Sequence, residues 1–194
     1  MKCSSDLESV IATGGLEQRP SRRKDLAGET QAFTDLTRAM TSPLTFFDQL
    51  VKSALQLSGA GSTGISLLDE NRKQFVWPAV AGQLRSYLGS GTPSDFGPCG
   101  TVIDRRSSIL FIHPERHFTY LAPILPPLEE VLLIPFYIDG KPVGTIWAVS
   151  HDPARQFCPE DRQLLESLSR FPAIGYRALP KSGILRTMLA MPAC

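Results

Sequence analysis

The sequence predicts an α+β domain in which a central antiparallel sheet carries terminal helices on one face and long loops on the other. Residues 62–80 hold two β-rich runs around a polar turn, and residues 131–152 hold two apolar runs around Asp139-Gly140, a strong hairpin signal. Amphipathic helical patterns precede the first hairpin and follow the second. This arrangement leaves a cavity between the sheet and the loops, a usual place for a small ligand.

The composition favours one globular domain. The 194 residues are 42% hydrophobic and 20% charged, which is enough to bury a core and argues against wholesale disorder. A net charge of +1 gives no pull toward nucleic acid or anionic membranes. No apolar run approaches the roughly 18 residues of a membrane span. We therefore expect neither a nucleic acid nor a membrane as partner.

The cysteines indicate the compartment. Cys3, Cys99, Cys158 and Cys194 are widely separated and form no CxxC pair. This spacing does not make a disulfide framework. The N-terminal residues also lack the long apolar run of a signal peptide. The sequence therefore predicts a cytoplasmic protein with reduced thiols.

Three segments are predicted along the chain. Residues 1–26 are polar and show no sustained period, which indicates a flexible N-terminal segment. Residues 27–180 are expected to form the domain. Residues 181–194 are expected to form a short C-terminal tail.

Two helices are predicted before the sheet. The first starts near residue 27. In the second, Ser42 suits the N-cap and Pro43 the first helical position, and Gly59 ends the helix. The apolar stripe of the second helix comprises Leu44, Phe47, Leu50, Val51, Ala54 and Leu55.

The segments between and within the hairpins complete the sheet. Between the hairpins we expect a loop rich in Gly, Ser and Pro, a short helix near 101–105, a strand at 108–113 and a long connection at 114–130. In the second hairpin, Val131 and Leu133 should face one side of the sheet and Leu132 and Ile134 the other, and all four are apolar. Such a sheet should be covered on both faces.

The last helix is predicted to begin at residue 158. Pro159 suits the first turn, and Glu160 and Asp161 complement the helix dipole there. Pro172 removes a backbone hydrogen bond to Leu168 and should kink the helix. The predicted buried stripe comprises Leu164, Leu165, Leu168, Phe171 and Ile174.

These elements and the residues that mark them resemble a GAF domain over residues 26–179. The stretches that carry the resemblance are ALQLSGAGSTGISLLD, FVWPAVAG, DFGPCGTVIDRRSSILFIHPERHF, LEEVLLIPFYIDGKPVGTIWAVSHD and FCPEDRQLLESLSRFPA. They are similar to bacterial GAF domains that occur alone or attached to histidine kinases. The resemblance implies a GAF/PAS-like fold. The cofactor stays unknown, since GAF domains host cyclic nucleotides, tetrapyrroles, haem, small metabolites, or nothing known.

The resemblance also implies a sensory function. A small-molecule ligand would bind reversibly, order the pocket loops, and signal through the terminal helices to a partner, with a histidine kinase in a two-component pathway as the expected partner. The apolar stripes of those helices predict a homodimer. No enzyme activity, catalytic residue or metal is expected.

The predicted ligand-binding residues are aromatic, charged or sulfur-containing side chains in and around the pocket elements. They are Trp77, Phe96, Cys99, His113, Arg116, His117, Phe118, Glu130 and Trp147. Aromatic rings on the loop face would stack on a planar ligand. Glu130, beside an apolar run, either holds a loop by hydrogen bonds or faces the ligand.

One alternative is a thiol-dependent enzyme that uses Cys99 with His113 or His117. Cys99 lies just before a short helix, which can activate a thiolate. The sequence offers no evident resolving cysteine for redox turnover. The same three side chains could bind zinc, but Pro114 interrupts the H-x3-H spacing and no CxxC or HExxH motif is present.

A second alternative is a photosensor that binds a tetrapyrrole without a covalent bond. The stretch ERHFTYL resembles the segment of phytochrome-like GAF domains in which a cysteine precedes a histidine. In this chain Arg116 takes the place of that cysteine before His117. An arginine there could pair with a propionate or a phosphate. His151 likewise resembles the histidine that ends a strand in bilin-binding domains.

Overall fold

The computed structural model describes residues 7–39 and 43–173, which form an α+β domain around a six-stranded antiparallel sheet. The strand order is β3-β2-β1-β6-β5-β4. The strands are β1 (Ser62–Asp69), β2 (Gln74–Gly82), β3 (Gly91–Pro93), β4 (Ile109–Ile112), β5 (Glu130–Ile138) and β6 (Lys141–Ser150). The predicted fold class is confirmed. Both predicted hairpins are present, and the second turns at Asp139 and Gly140, which have the positive φ angles that such a turn needs.

Helices come before, within and after the run of strands, and those beyond residue 26 follow the chain order that the sequence predicts. They are α1 (Thr13–Leu16), α2 (Leu26–Ala39), α3 (Pro43–Ser58), α4 (Pro98–Arg105) and α5 (Pro159–Leu168). Gly59 follows α3 with φ of 63°, as expected for a glycine that ends a helix. The predicted N-cap Ser42 lies outside the described residues. Helix α4 starts three residues before the predicted position, because Pro98 supplies its first turn.

Two apolar clusters cover the two faces of the sheet. On the helix face, Leu132 and Ile134 of β5 pack with Phe47 and Leu50 of α3 and with the buried leucines of α5. On the loop face, the alternate residues of the same strand pack with side chains of the connecting loops. Consecutive residues of β5 are apolar because both faces of the sheet are covered, as the sequence predicted.

The N-terminal segment differs from the flexible one that the sequence predicted. Val10 and Leu16 are buried, and Ile11 forms an antiparallel bridge with Phe111 of β4. Backbone hydrogen bonds join Ala12 to Leu110 and Ile112 to Val10. The physical reason is that β4 is an edge strand, and its backbone groups gain partners when this segment covers them.

Helix α5 ends at Leu168, where the sequence predicted a kink from Pro172. Ser169 is a turn residue and residues 170–173 are helical again, which is the break expected because Pro172 has no N–H group to bond the carbonyl of Leu168. The predicted stripe residue Ile174 and the tail 181–194 lie outside the described residues. No helix in the part of the chain that the structure describes is long and apolar enough to cross a membrane.

Candidate functional site

A small cavity lies between the sheet and the loops on the loop face. Its volume is about 40 Å³, enough for water molecules but not for a larger molecule without movement of the walls. The sheet contributes Trp77, Val131, Leu133, Trp147 and Val149 to the lining. Three of the nine predicted site residues therefore line the cavity, namely Cys99 and both tryptophans of the chain.

The loops close the cavity from the other side. Leu84 lies just after β2, Thr92 lies in β3, and Pro98 and Cys99 form the first turn of α4. The remaining wall is the lid, which we define as residues 119–128, and which contributes Leu121, Ile124 and Leu128.

Two hydrogen bonds hold the outer side of the lid. The backbone N–H of Leu125 donates to the Tyr87 hydroxyl at 3.1 Å. The carbonyl of Pro127 lies 2.8 Å from Nδ1 of His151. The other ring nitrogen, Nε2, lies 2.8 Å from Oγ of the buried Ser62. His151 therefore links the end of β6 to the lid.

The two indoles meet above β1. Their ring centroids are 5.4 Å apart and their planes are tilted by 60°. The ring of Trp147 lies against Gly64 of β1, where a Cβ atom would come within 2.1 Å of Cζ2. Nε1 of Trp147 donates to Ser66 Oγ at 3.0 Å. The absence of a side chain at Gly64 is thus what lets the indole lie flat on the sheet.

Cys99 sits in a polar cluster beside the cavity. Its thiol donates to Ser66 Oγ at 3.4 Å and accepts from Thr145 Oγ1 at 3.4 Å. Burial raises the pKa of the Cys99 thiol, and hydrogen bonds from neighbouring hydroxyls offset only part of that rise. The thiol is therefore neutral near pH 7, and Cys99 acts here as a small buried hydrogen-bonding residue.

Thr92 lines the cavity, and Tyr120 lies outside the lining. Within the described residues, Thr92 Oγ1, the Tyr120 hydroxyl and Nε1 of Trp77 make no hydrogen bond of ordinary length and angle. The Thr92 hydroxyl nevertheless lies close enough to Cys99 and Tyr120 to lower the pKa of each side chain in part. Burial raises the pKa of the Tyr120 phenol, which stays neutral.

Phe96, His117 and Phe118 form an aromatic cluster outside the cavity lining. The rings of Phe96 and Phe118 are 5.3 Å apart, and the His117 ring is 4.7 Å from Phe118 and 5.4 Å from Phe96. Phe118 is fully buried and also contacts Phe111 of β4. These three predicted site residues support the base of the lid rather than line the cavity.

His113 and Arg116 face away from the cavity. His113 has a positive φ of 46°, and its ring nitrogens lie 3.6 Å from carboxylate oxygens of Glu115 and Glu129. Arg116 is exposed. Cys99 is therefore not hydrogen-bonded to either predicted histidine. Among the described residues, no group of His, Cys, Asp and Glu side chains could hold a metal ion.

Glu130 lies on the helix face, where it cannot contact a ligand in the cavity. Its carboxylate accepts two hydrogen bonds from Arg19, at 2.8 and 2.9 Å, and one from the backbone N–H of Phe157 at 2.8 Å. Glu130 therefore lies outside the lining of this cavity, and together with His113 it lines a separate pocket of about 160 Å³. The physical reason is the two-residue period of β5, which puts Glu130 on the same face as Leu132.

The residues that sequence reasoning missed are small polar side chains and lid leucines. Ser66 and Thr145 stand on the loop face in the buried parts of β1 and β6, so a polar residue in a buried strand was the available signal. Thr92 lies in β3, a three-residue strand within a segment that the sequence predicts to be a loop. Tyr120 and the lid leucines carried no local signal, because only the fold brings the lid over the sheet.

The antiparallel sheet, the helices on one face and the loop-covered cavity on the other define the class of this domain. A family model described as GAF domain matches residues 41–174. The chain belongs to the GAF domain family. No curated protein matches the sequence.

Solved structures show the same fold at low sequence identity. The GAF domain of an Acinetobacter phosphoenolpyruvate-protein phosphotransferase superposes with a TM-score of 0.70 at 18% identity, over 81% of this chain and 96% of that one. Free methionine-R-sulfoxide reductase from Neisseria meningitidis has a TM-score of 0.67 at 18% identity, over 82% and 95%. The GAF-B domain of DevS from Mycobacterium smegmatis has a TM-score of 0.57 at 21% identity, over 76% and 99%. These similarities establish the fold and leave the activity open.

Proposed function

We propose that the chain is a sensory or regulatory GAF domain that binds a small molecule reversibly in the cavity and signals through its terminal helices. The observation that carries this proposal is the cavity under a lid with few outer hydrogen bonds, lined by both tryptophans. A ligand that displaces the lid would select an open state of the loops, which is a population shift. A two-component pathway, a histidine kinase partner, a homodimer and a cytoplasmic location belong to the same proposal.

A short route from the cavity to the helix face supports the signalling part. Leu84 lines the cavity, and its backbone N–H donates to Ser62 Oγ at 2.9 Å. The next residue, Arg85, donates to Asp48 of α3 at 3.1 Å and to the carbonyl of Val80 at 2.7 Å. Movement of the 84–85 segment would therefore change contacts made by α3.

Native mass spectrometry of protein purified from its own host is the direct test. We expect a non-covalent small-molecule adduct that is lost when the protein unfolds. Returning the released fraction should change the tryptophan emission, since both indoles line the cavity. A bare mass, together with unchanged emission on addition of a metabolite extract of the host, would contradict the proposal.

The thiol-enzyme alternative has less support. A nucleophilic cysteine needs a lowered pKa and an adjacent base, whereas burial raises the pKa of the Cys99 thiol and its hydrogen-bond partners are hydroxyls. Burial also raises the pKa of Cys158, which begins α5 and bonds Asp161. We therefore propose that the domain is not an enzyme.

Labelling of Cys99 by a thiol reagent should be slow in the folded protein. Because its pKa is raised, a rise in pH through the ordinary thiol range, near about 8.5, should speed labelling of the urea-unfolded chain but not of native Cys99. Peptide mapping by mass spectrometry measures the labelled fraction at each pH. Native labelling that is fast near pH 7 would revive the enzyme alternative.

A further inference from the structure

The surface of the cavity wall is apolar throughout. Four lining residues carry a polar group, namely Thr92, Cys99 and the two tryptophans, but within the part of the chain that the structure describes none of their nitrogen or oxygen atoms lies on the wall. The other lining side chains are aliphatic. A molecule inside the cavity would therefore meet apolar atoms only.

The polar groups beside the cavity are turned toward one another. Thr145 donates to the Cys99 thiol, which in turn donates to Ser66 Oγ. Nε1 of Trp147 donates to the same Ser66 oxygen at 3.0 Å. The Thr92 hydroxyl lies close to Cys99 as well. Their hydrogen-bonding capacity is thus directed behind the wall and away from the space that a ligand would fill.

Such a wall discriminates against polar groups. A hydrogen-bonding group that enters the cavity gives up its bonds to water and gains none in return. This lowers its affinity by about 5- to 150-fold, the equivalent of about 1–3 kcal/mol. A charged group loses more, because it finds no counter-ion. Water itself is not held there, since a buried water needs about two to four polar partners.

We propose that the cavity takes a hydrocarbon group, so that the ligand of this domain is an apolar molecule. The hydrocarbon would lie between Trp77 and Trp147 of the sheet and the leucines of the lid, Leu121 and Leu128. Each methylene that it buries strengthens binding by about fourfold. This inference rests on the proposed reversible binding and specifies the ligand class for that site.

The lid has to move for such a ligand to enter. A volume of about 40 Å³ does not accommodate a ring or a chain of several carbons, so the lid leucines must shift outward. The two hydrogen bonds that resist this shift, from Leu125 to Tyr87 and from Pro127 to His151, lie on the outer side of the lid. The inner side is aliphatic, and it stays in contact with an apolar ligand as the lid rises.

Three compounds of similar size test the ligand class. Toluene is a plain hydrocarbon, benzyl alcohol adds a hydroxyl, and benzoate adds a charge. The full chain is titrated with each compound while its tryptophan emission is excited at the red edge of the indole band, and the thermal unfolding midpoint is measured in parallel. We expect toluene to bind saturably and to raise the midpoint. Benzyl alcohol should bind at least about fivefold more weakly, and benzoate more weakly still.

A polar substitution in the wall separates the cavity from general hydrophobicity. Val149 lies on β6, is 3% exposed and lines the cavity, and Val149→Thr adds a hydroxyl there at nearly constant shape. The preference for toluene over benzyl alcohol should fall by about fivefold or more. Val143→Thr is the matched control, because Val143 lies on the same strand but packs with the helix-face cluster. This variant should keep the wild-type preference.

A smaller lid residue tests the fit. Leu121 is 5% exposed and lines the cavity, so Leu121→Ala makes room for a ring with less displacement of the lid. Toluene should bind this variant at least about threefold more tightly, and it should raise the unfolding midpoint by more than in the wild type. The control is Leu125→Ala, since Leu125 belongs to the lid but is 67% exposed and does not line the cavity. Its affinity for toluene should equal that of the wild type.

The outcomes distinguish this inference from the proposed function. Benzyl alcohol or benzoate binding as tightly as toluene would overturn the apolar ligand class and leave reversible binding in place. A charged adduct released from host-purified protein would do the same. Saturable binding of none of the three compounds, in the wild type and in Leu121→Ala, would also overturn the ligand class, while the native mass judges the proposed function separately. An unchanged preference in Val149→Thr would overturn the assignment of the binding site to this cavity.

Discussion

Replacement of Arg19 by alanine is expected to lower the free energy of unfolding by about 3 kcal/mol, at the low end of the range for breaking a buried ion pair. Nη1 and Nη2 of Arg19 both donate to the Glu130 carboxylate, and Nη1 also donates to the carbonyl of Phe157 at 2.8 Å. The side chains of Arg19 and Glu130 are only 15% and 6% exposed. Without Arg19, the Glu130 carboxylate stays buried with one backbone N–H as its remaining partner.

Urea unfolding followed by circular dichroism measures this effect, and an exposed ion pair supplies the control. Arg38 lies 3.7 Å from Asp35 on α2, and these side chains are 76% and 41% exposed. Arg38→Ala should therefore cost less than about 1 kcal/mol. The double variant Arg19→Met, Glu130→Leu should recover much of the loss, because no unpaired charge stays buried. A loss below about 1 kcal/mol for Arg19→Ala would mean that the N-terminal segment is not held by this pair.

The second large effect is expected at Gly64. A methyl group there would come within 2.1 Å of Cζ2 and 2.5 Å of Cη2 of Trp147, so the indole has to leave its place on β1. Overpacking of this kind costs about 1–3 kcal/mol. The displaced ring also loses the hydrogen bond to Ser66. We expect Gly64→Ala to be destabilised by about 2 kcal/mol, with changed tryptophan emission.

Gly15→Ala is the matched control for this substitution. Gly15 lies in helix α1, and a Cβ atom there would meet nothing within 4 Å. The change should leave the emission unaltered and stabilise the domain by up to about 1 kcal/mol, since alanine favours a helix. Wild-type stability and emission in Gly64→Ala would contradict the placement of Trp147 on the sheet.

Local patterns predicted much of the fold. The Asp139-Gly140 turn, the stripe of α3 and the stop at Gly59 each depend on residues close in sequence, and all three are present. The two tryptophans were predicted for the site because they stand in strands, and both line the cavity. These predictions needed only the periods of strands and helices.

Other features depended on contacts between distant residues. Glu130 and Leu132 are two residues apart, so the sequence indicated that both side chains lie on one face of the sheet and Val131 on the other. The sequence did not indicate which of the two faces carries the cavity. The N-terminal segment shows no period, because it packs through a few apolar residues and one bridge to Phe111. Cavity residues such as Leu121 and Leu128 come from the lid, whose position no local pattern specifies.

The sequence by itself determined the family, the order of the elements and an apolar sheet covered on both faces. These properties follow from periodicity and turn chemistry, which act over a few residues. Only the tertiary structure decided that Cys99 forms hydrogen bonds with hydroxyls rather than with a histidine, that Arg19 forms an ion pair with Glu130, and that the cavity walls are uncharged. Each of these depends on pairs far apart in the chain, and such pairs are set by how the loops and the N-terminal segment pack on the sheet.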